Sequence, residues 1–158
     1  MQNYIQDLRQ LIGTKRIFYP AARVIIENSQ GQILLIRRSD NGNWGLVAGG
    51  LEAGENITQC IIREAREETG LALISVEAIG ISTNPDIETV NYPNGDIVQY
   101  ATMVFYCREW TGNLSKSTEE ATEIRFFDRA ELPKLSLNEA PSIDWLDRFR
   151  ESGHFIVE

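Results

Sequence analysis

The chain has 158 residues, 42% of them hydrophobic, and a formal net charge of -8. That length and apolar content suffice for one domain with its own core, without disulfides or structural zinc. The acidic balance excludes a nonspecific grip on polymeric DNA or RNA, which needs a basic surface and counterion release; a small anionic substrate would need a cation between itself and the protein's carboxylates.

The opening MQNYIQDLRQ lacks the basic-then-apolar layout of a signal peptide, and no window offers the roughly 18 apolar residues of a membrane span. A soluble, cytoplasmic protein without membrane association is expected. Cys60 and Cys107 form no CxxC pair and are expected as reduced, buried thiols. No repeat or low-complexity linker marks a second domain. One domain over 1–158 is expected, with an N-terminal helical extension at 1–17 and a C-terminal helix and tail at 136–158.

In chain order, Gln2 to Leu11 predicts a short amphipathic helix, with Tyr4, Ile5, Leu8, Leu11 and Ile12 at roughly helical spacing. Ala21 to Ile26 and Ile33 to Ile36 read as strands of a β-hairpin joined by Asn28-Ser29-Gln30-Gly31. After Arg37 and Arg38, a stretch rich in Asp, Asn and Gly reads as a loop through Gly50. Asn56 as N-cap, Gln59 three residues on and Gly70 as a left-handed stop frame a helix of about three and a half turns. Ala72 to Ser82 and Ile97 to Trp110 predict two long strands, separated by a loop with a tight turn at Tyr92-Pro93-Asn94-Gly95-Asp96. Glu123 to Phe127 predicts a further strand, Arg129 to Leu132 a helical turn, and Ser142 to Arg150 a closing amphipathic helix. These elements predict an α/β fold, a mixed sheet with helices on its faces.

The most informative segment is GGLEAGENITQCIIREAREETGL, residues 49–71. On a helix, Glu64, Glu67 and Glu68 fall at i, i+3 and i+4 and share one stripe. Three like charges so placed repel unless a cation neutralises them, and an all-oxygen donor set suits Mg²⁺ or Mn²⁺ rather than zinc. Ile61, Ile62 and Ala65 occupy the neighbouring arc and would anchor the helix on a core. Arg63, four residues before Glu67, would pair with it or with a glutamate of the preceding loop and fix carboxylate orientation. An isolated ExxEE is more often a solvated helix face. Here it comes with a Gly-rich loop, Glu52, Glu55 and a Gly stop at fixed offsets.

This pattern resembles the Nudix box, G-x5-E-x7-R-E-U-x-E-E-x-G-U, with U an apolar residue. Gly49, Glu55, Arg63, Glu64, Ala65, Glu67, Glu68, Gly70 and Leu71 fill every specified place, Ala65 being smaller than the usual aliphatic. The resemblance covers roughly residues 18 to 135, from the strand ending Leu34-Leu35-Ile36-Arg37-Arg38 to Glu131-Leu132-Pro133. It implies a Nudix-type α/β/α sandwich and hydrolysis of a nucleoside diphosphate linked to another moiety. It further implies that Glu64, Glu67 and Glu68 hold Mg²⁺ or Mn²⁺, with Glu67 and Glu68 central, and that Arg63 orients a carboxylate. The Ala48 carbonyl would join the metal shell, in Val47-Ala48-Gly49-Gly50 where the family commonly has Pro-Gly-Gly. The proton acceptor would come from the box or a later loop, where Glu119 and Glu120 stand, Glu120 being the chosen candidate.

Arg38 is either a bidentate phosphate contact or a surface partner of Asp40. Tyr92, Asp96 and Gln99, with Asn94, sit where a base or second moiety could be read, or serve as turn chemistry alone. His154, near the C-terminus, is expected to be neither ligand nor base. ADP-ribose and related nucleotide derivatives, or (d)NTPs, are the substrates to weigh. A silent nucleotide-sensing or interaction module is the alternative from another class, though such domains typically lose box carboxylates and this chain keeps them all. The family often dimerises, and a homodimer is compatible with the N-terminal helix.

Overall fold

The computed structural model describes residues 4–158, so the start of the first predicted helix at Gln2 lies outside them. Helix α1 (Tyr4–Ile12) buries none of its residues. Arg9 ties it down, donating to the Ile97 carbonyl at 2.9 Å and pairing with Asp96 at 3.4 Å.

Strand β1 (Ile17–Ile26) begins four residues before the predicted Ala21, because the exposed Phe18 interrupts the apolar pattern there while the backbone continues its pairing. Strand β2 (Ile33–Arg38) follows. The predicted hairpin between them is corrected: only an isolated bridge joins Glu27 to Ile33, and the strands then enter different sheets. A strand has two hydrogen-bonding edges, and both edges of β1 are taken by other strands.

The Asp/Asn/Gly-rich loop predicted through Gly50 is also corrected in its second half, which forms β3 (Trp44–Gly45) and β4 (Val47–Gly50). Glycine disfavours strands locally, but β4 lies antiparallel on β1 from Val24↔Val47 to Ala21↔Gly50 and is held by that ladder. Helix α2 (Ile57–Thr69) and strand β5 (Ala72–Ser82) have the predicted limits within a residue. Between β5 and β7 (Ile97–Thr111), the single predicted loop contains α3 (Pro85–Glu88), capped by Asn84, and the short β6 (Thr89–Asn91). The turn forms as expected, with Tyr92 N–H donating to the Asp96 carbonyl at 2.9 Å. Strand β8 (Ala121–Phe127), a 3-10 turn at Arg129–Glu131, α4 (Ala140–Ser152) and the unpredicted β9 (Ile156–Val157) complete the chain.

The strands form two sheets rather than one. The larger has the order β4-β1-β7-β5-β9, with β6 on β7, and mixes parallel β1–β7 with antiparallel β5–β7. The smaller is β3-β2-β8. One apolar core gathers Val24, Ile26 and Phe105 with Ile61 and Ala65 of α2; a second gathers Ile25, Leu35 and Val104 with Trp145 and Leu146 of α4. Alternate residues of the same strands thus serve opposite layers, which makes an α/β/α arrangement. Cys60 and Cys107 are free, buried thiols. Among the described residues no helix is long and apolar enough to cross a membrane.

Candidate active site

Helix α2 forms where its caps say it should. The Asn56 side chain accepts from Gln59 N–H, the Gln59 side chain accepts from Asn56 N–H, each at 2.9 Å, and Gly70 closes the helix at φ 80°. Ile61 and Ala65 are fully buried and Ile62 packs beside them; the Ile61 side chain alone contributes roughly 1.5–3 kcal/mol by burial. That anchorage turns Glu64 and Glu68 inward against β4, both buried. Glu68 accepts from Ala48 N–H at 3.2 Å. Gly49 leaves room for Glu64, since a Cβ there would overlap that carboxylate.

Glu64, Glu68 and Glu120 each bring a carboxylate oxygen to within 4.8 Å of the others. Burial raises the Glu68 pKa to about 9, helped by the neighbouring charges of Glu64 and Glu120 and opposed by the Ala48 N–H. Burial likewise lifts Glu64 to about 7, against the pull of Arg63. Carboxylates held in this state favour a divalent cation, and their all-oxygen donor set suits a hard ion such as Mg²⁺ or Mn²⁺.

Arg63 is the hub of the other carboxylates. It donates to both oxygens of Glu55 at 2.7 and 3.1 Å, to Glu64 at 2.7 Å, to Glu67 at 3.1 Å and to the Gly50 carbonyl at 3.1 Å. Glu67, predicted as a central ligand, stands apart from the three-glutamate group here, with its side chain 55% exposed and held by Arg63. Glu120 reaches the group from the loop before β8. Thr118 shapes that loop: its hydroxyl donates to the Glu68 carbonyl at 3.4 Å and accepts from Ala121 N–H at 3.1 Å. Ser39 fastens the other side, its N–H donating to the Glu120 carbonyl and its hydroxyl to that of Glu119, both at 2.9 Å. Of the two later-loop acids, only Glu120 joins the group.

A cavity of about 610 Å³ adjoins this centre through Ala48, Gly49 and Gly50. Arg38 and Tyr92 line it. Arg38 also pairs with Asp40, at 3.2 and 3.1 Å. The Tyr92 hydroxyl bonds that of Tyr100 at 2.6 Å. Asp96 and Gln99 are not brought to the cavity wall; Arg9 engages Asp96 and Arg16 donates to Gln99 at 3.3 Å. His154 is exposed beyond α4.

The model of the NUDIX domain matches residues 18–149. The chain belongs to the NUDIX family. Among its relatives, an ADP-ribose pyrophosphatase of Methanocaldococcus jannaschii is 32% identical over 135 residues, covering 82% of this chain and 75% of the relative. An NAD-capped RNA hydrolase, NudC, of Pseudomonas aeruginosa is 27% identical, and the matched region spans 82% of this chain but only 45% of that protein. The solved structure of a MutT NUDIX hydrolase from Burkholderia pseudomallei superposes with a TM-score of 0.69 at 21% identity, covering 82% of this chain and 98% of that one, a likeness of fold.

Within this Nudix protein the box accounts for Glu55, Arg63, Glu64, Glu67 and Glu68. Sequence reasoning missed the cavity residues Tyr19, Arg23, Glu88, Tyr100 and Thr102. Their local signals were weak: Arg23 reads as a surface charge in a strand, and Glu88 as part of a loop. Alternation along β1 places Tyr19, Ala21 and Arg23 on one side, but a strand predicted only from Ala21 gave no sign of that shared face.

Proposed function

We propose that this Nudix protein hydrolyses a phosphoanhydride bond in a nucleoside diphosphate linked to another moiety, ADP-ribose among them, with Mg²⁺ as cofactor and Mn²⁺ as substitute. The observation that carries the reading is the Glu64–Glu68–Glu120 group beside a cavity large enough for a nucleotide. The 32% identity to a protein named ADP-ribose pyrophosphatase supports the substrate class.

Glu64 and Glu68 would hold the cation, with Glu67 swinging in from Arg63 and the Ala48 carbonyl beside them. When bound, the ion neutralises diphosphate charge and makes water more acidic. Arg63 keeps Glu55, Glu64 and the Gly50 carbonyl in fixed relation, so the donor set is held before substrate arrives. Glu120, on a loop pinned by Thr118 and Ser39, accepts the proton of the attacking water. Arg38 exchanges its Asp40 contact for a phosphate oxygen, a geometry that a guanidinium suits.

The test is an assay with Mg²⁺ over ADP-ribose, other nucleoside diphosphate derivatives, dinucleoside polyphosphates and (d)NTPs, reading released phosphate or nucleotide. Turnover of a nucleoside diphosphate derivative is expected. Binding without turnover of any member would replace this reading by a nucleotide sensor.

A further inference from the structure

The floor of the cavity carries a charged pair that the fold does not finish. Arg23 on β1 is 3% exposed and Glu88 at the end of α3 is 0% exposed, and both line the cavity. Their nearest approach, Arg23 Nη1 to Glu88 Oε1, is 3.7 Å, which is longer than a hydrogen bond. Arg23 Nη1 is occupied by the Asn138 carbonyl and the Ser142 hydroxyl, and Glu88 Oε2 accepts from the Thr102 hydroxyl at 2.9 Å. That leaves Arg23 Nε and Glu88 Oε1 buried with no hydrogen-bond partner among the described residues. Buried polar atoms are ordinarily satisfied, and an orphaned pair of opposite polarity costs stability.

We infer that Arg23 and Glu88 are specificity-determining residues, which together bind a neutral edge of the substrate bearing a hydrogen-bond donor beside an acceptor. This rests on the reading of the cavity as a nucleotide site. A second phosphate is excluded by chemistry: the Glu88 carboxylate stands next to the guanidinium and cancels its attraction for an anion. A donor-beside-acceptor edge fits once the side chains that now close off both atoms shift aside, because the ligand N–H or O–H then donates to Glu88 Oε1 while its acceptor takes the Arg23 N–H. Two parts of a nucleotide present such an edge, namely the base and the hydroxyl-bearing sugar. Tyr19 and Tyr100, with ring centroids 6.1 Å apart, flank the same strands of the wall and offer stacking faces to a base.

The experiment is calorimetric titration of the whole protein without divalent metal, using AMP, GMP, UMP, CMP and ribose 5-phosphate, for wild type and Glu88→Gln. The variant keeps shape and the contact to Thr102 but turns an acceptor-only group into one that also donates. Glu88→Gln should weaken nucleoside monophosphate binding about tenfold to hundredfold, the scale of a hydrogen bond to a charged group. Loss for nucleotides alone assigns the edge to the base; equal loss for ribose 5-phosphate assigns it to the sugar. Should Glu88→Gln fail to fold, Thr102→Val removes only the bond that orients Glu88 and should weaken binding about threefold to tenfold. Unchanged affinity in a folded variant, or no binding of any of these by wild type, overturns the inference. Since no metal or turnover is involved, loss of hydrolysis with binding intact would count against the catalytic reading and leave this one standing.

Discussion

Two arginines of this molecule, Arg63 and Arg23, each stand among glutamates, and the two surroundings do opposite things. Arg63 meets Glu55, Glu64 and Glu67 directly, with Glu68 and Glu120 just beyond, so one cation faces a surplus of carboxylates. Arg23 has a single ion-paired carboxylate, Glu88, feels the buried Glu139 from further off, and its hydrogen bonds go to neutral groups. The surplus calls for a further cation; the balanced pair calls for a neutral partner. The ratio of charges, rather than the presence of an Arg–Glu pair, separates a centre that would handle phosphate from one that would read shape and polarity.

The sharpest way to break this contrast is Glu68→Gln. It should lower kcat/KM by roughly a thousandfold or more, ~4 kcal/mol of transition-state stabilisation, while a thermal melt of the metal-free protein shows an equal or higher midpoint. A variant with near wild-type turnover would remove Glu68 from the metal centre. Glu67→Gln should also cut turnover by orders of magnitude in steady-state assays if Glu67 leaves Arg63 for the metal; a loss below about tenfold would confine it to the Arg63 pair seen here.

Arg63→Lys comes next. An ammonium cannot span Glu55 and Glu64 as the fork does, so metal affinity measured by titration should fall about tenfold to hundredfold. Glu120→Gln should cost a similar factor in kcat, whereas Glu119→Gln should leave it unchanged, and parallel kinetics of the two would expose a wrong choice between them.

The smallest effect concerns pH. Glu68 and Glu64 rise from 4.5 to about 9 and about 7 in the folded chain, so between those values the folded state binds more protons than the unfolded one. Stability of the metal-free protein is therefore fullest below pH 4.5 with respect to these groups and is lost as pH climbs toward 9. Melts from pH 6 to 9 should show a falling midpoint that saturating Mg²⁺ flattens; a midpoint rising with pH would contradict it.

Most of the glutamate site on α2 was legible because its signals are local. The Asn56–Gln59 box, the i, i+3, i+4 glutamates and the Gly70 stop all act within one helix, and the structure reproduces that helix. Glu120 was legible only as one of two neighbours, since choosing it over Glu119 depends on Thr118 and Ser39 across the loop. The cavity floor was not legible. Arg23, Glu88 and Thr102 come from β1, α3 and β7 and meet only after parallel pairing brings distant stretches into register. Long-range pairing of β1, parallel with β7 and antiparallel with β4, likewise explains the misread hairpin and the missed β4. Asp96 and Gln99 looked free to meet a ligand because nothing in their neighbourhood announced Arg9 and Arg16.

The segment running to α4 borders the cavity and is clipped to the strand region by the buried carboxylate of Glu139, which accepts from Leu46 N–H at 3.1 Å, and by the Asn138 carbonyl, which accepts from Arg23. None of these groups belongs to α2. A rim whose fastenings lie so far along the chain from α2 can change in sequence without disturbing the Glu64–Glu68–Glu120 group.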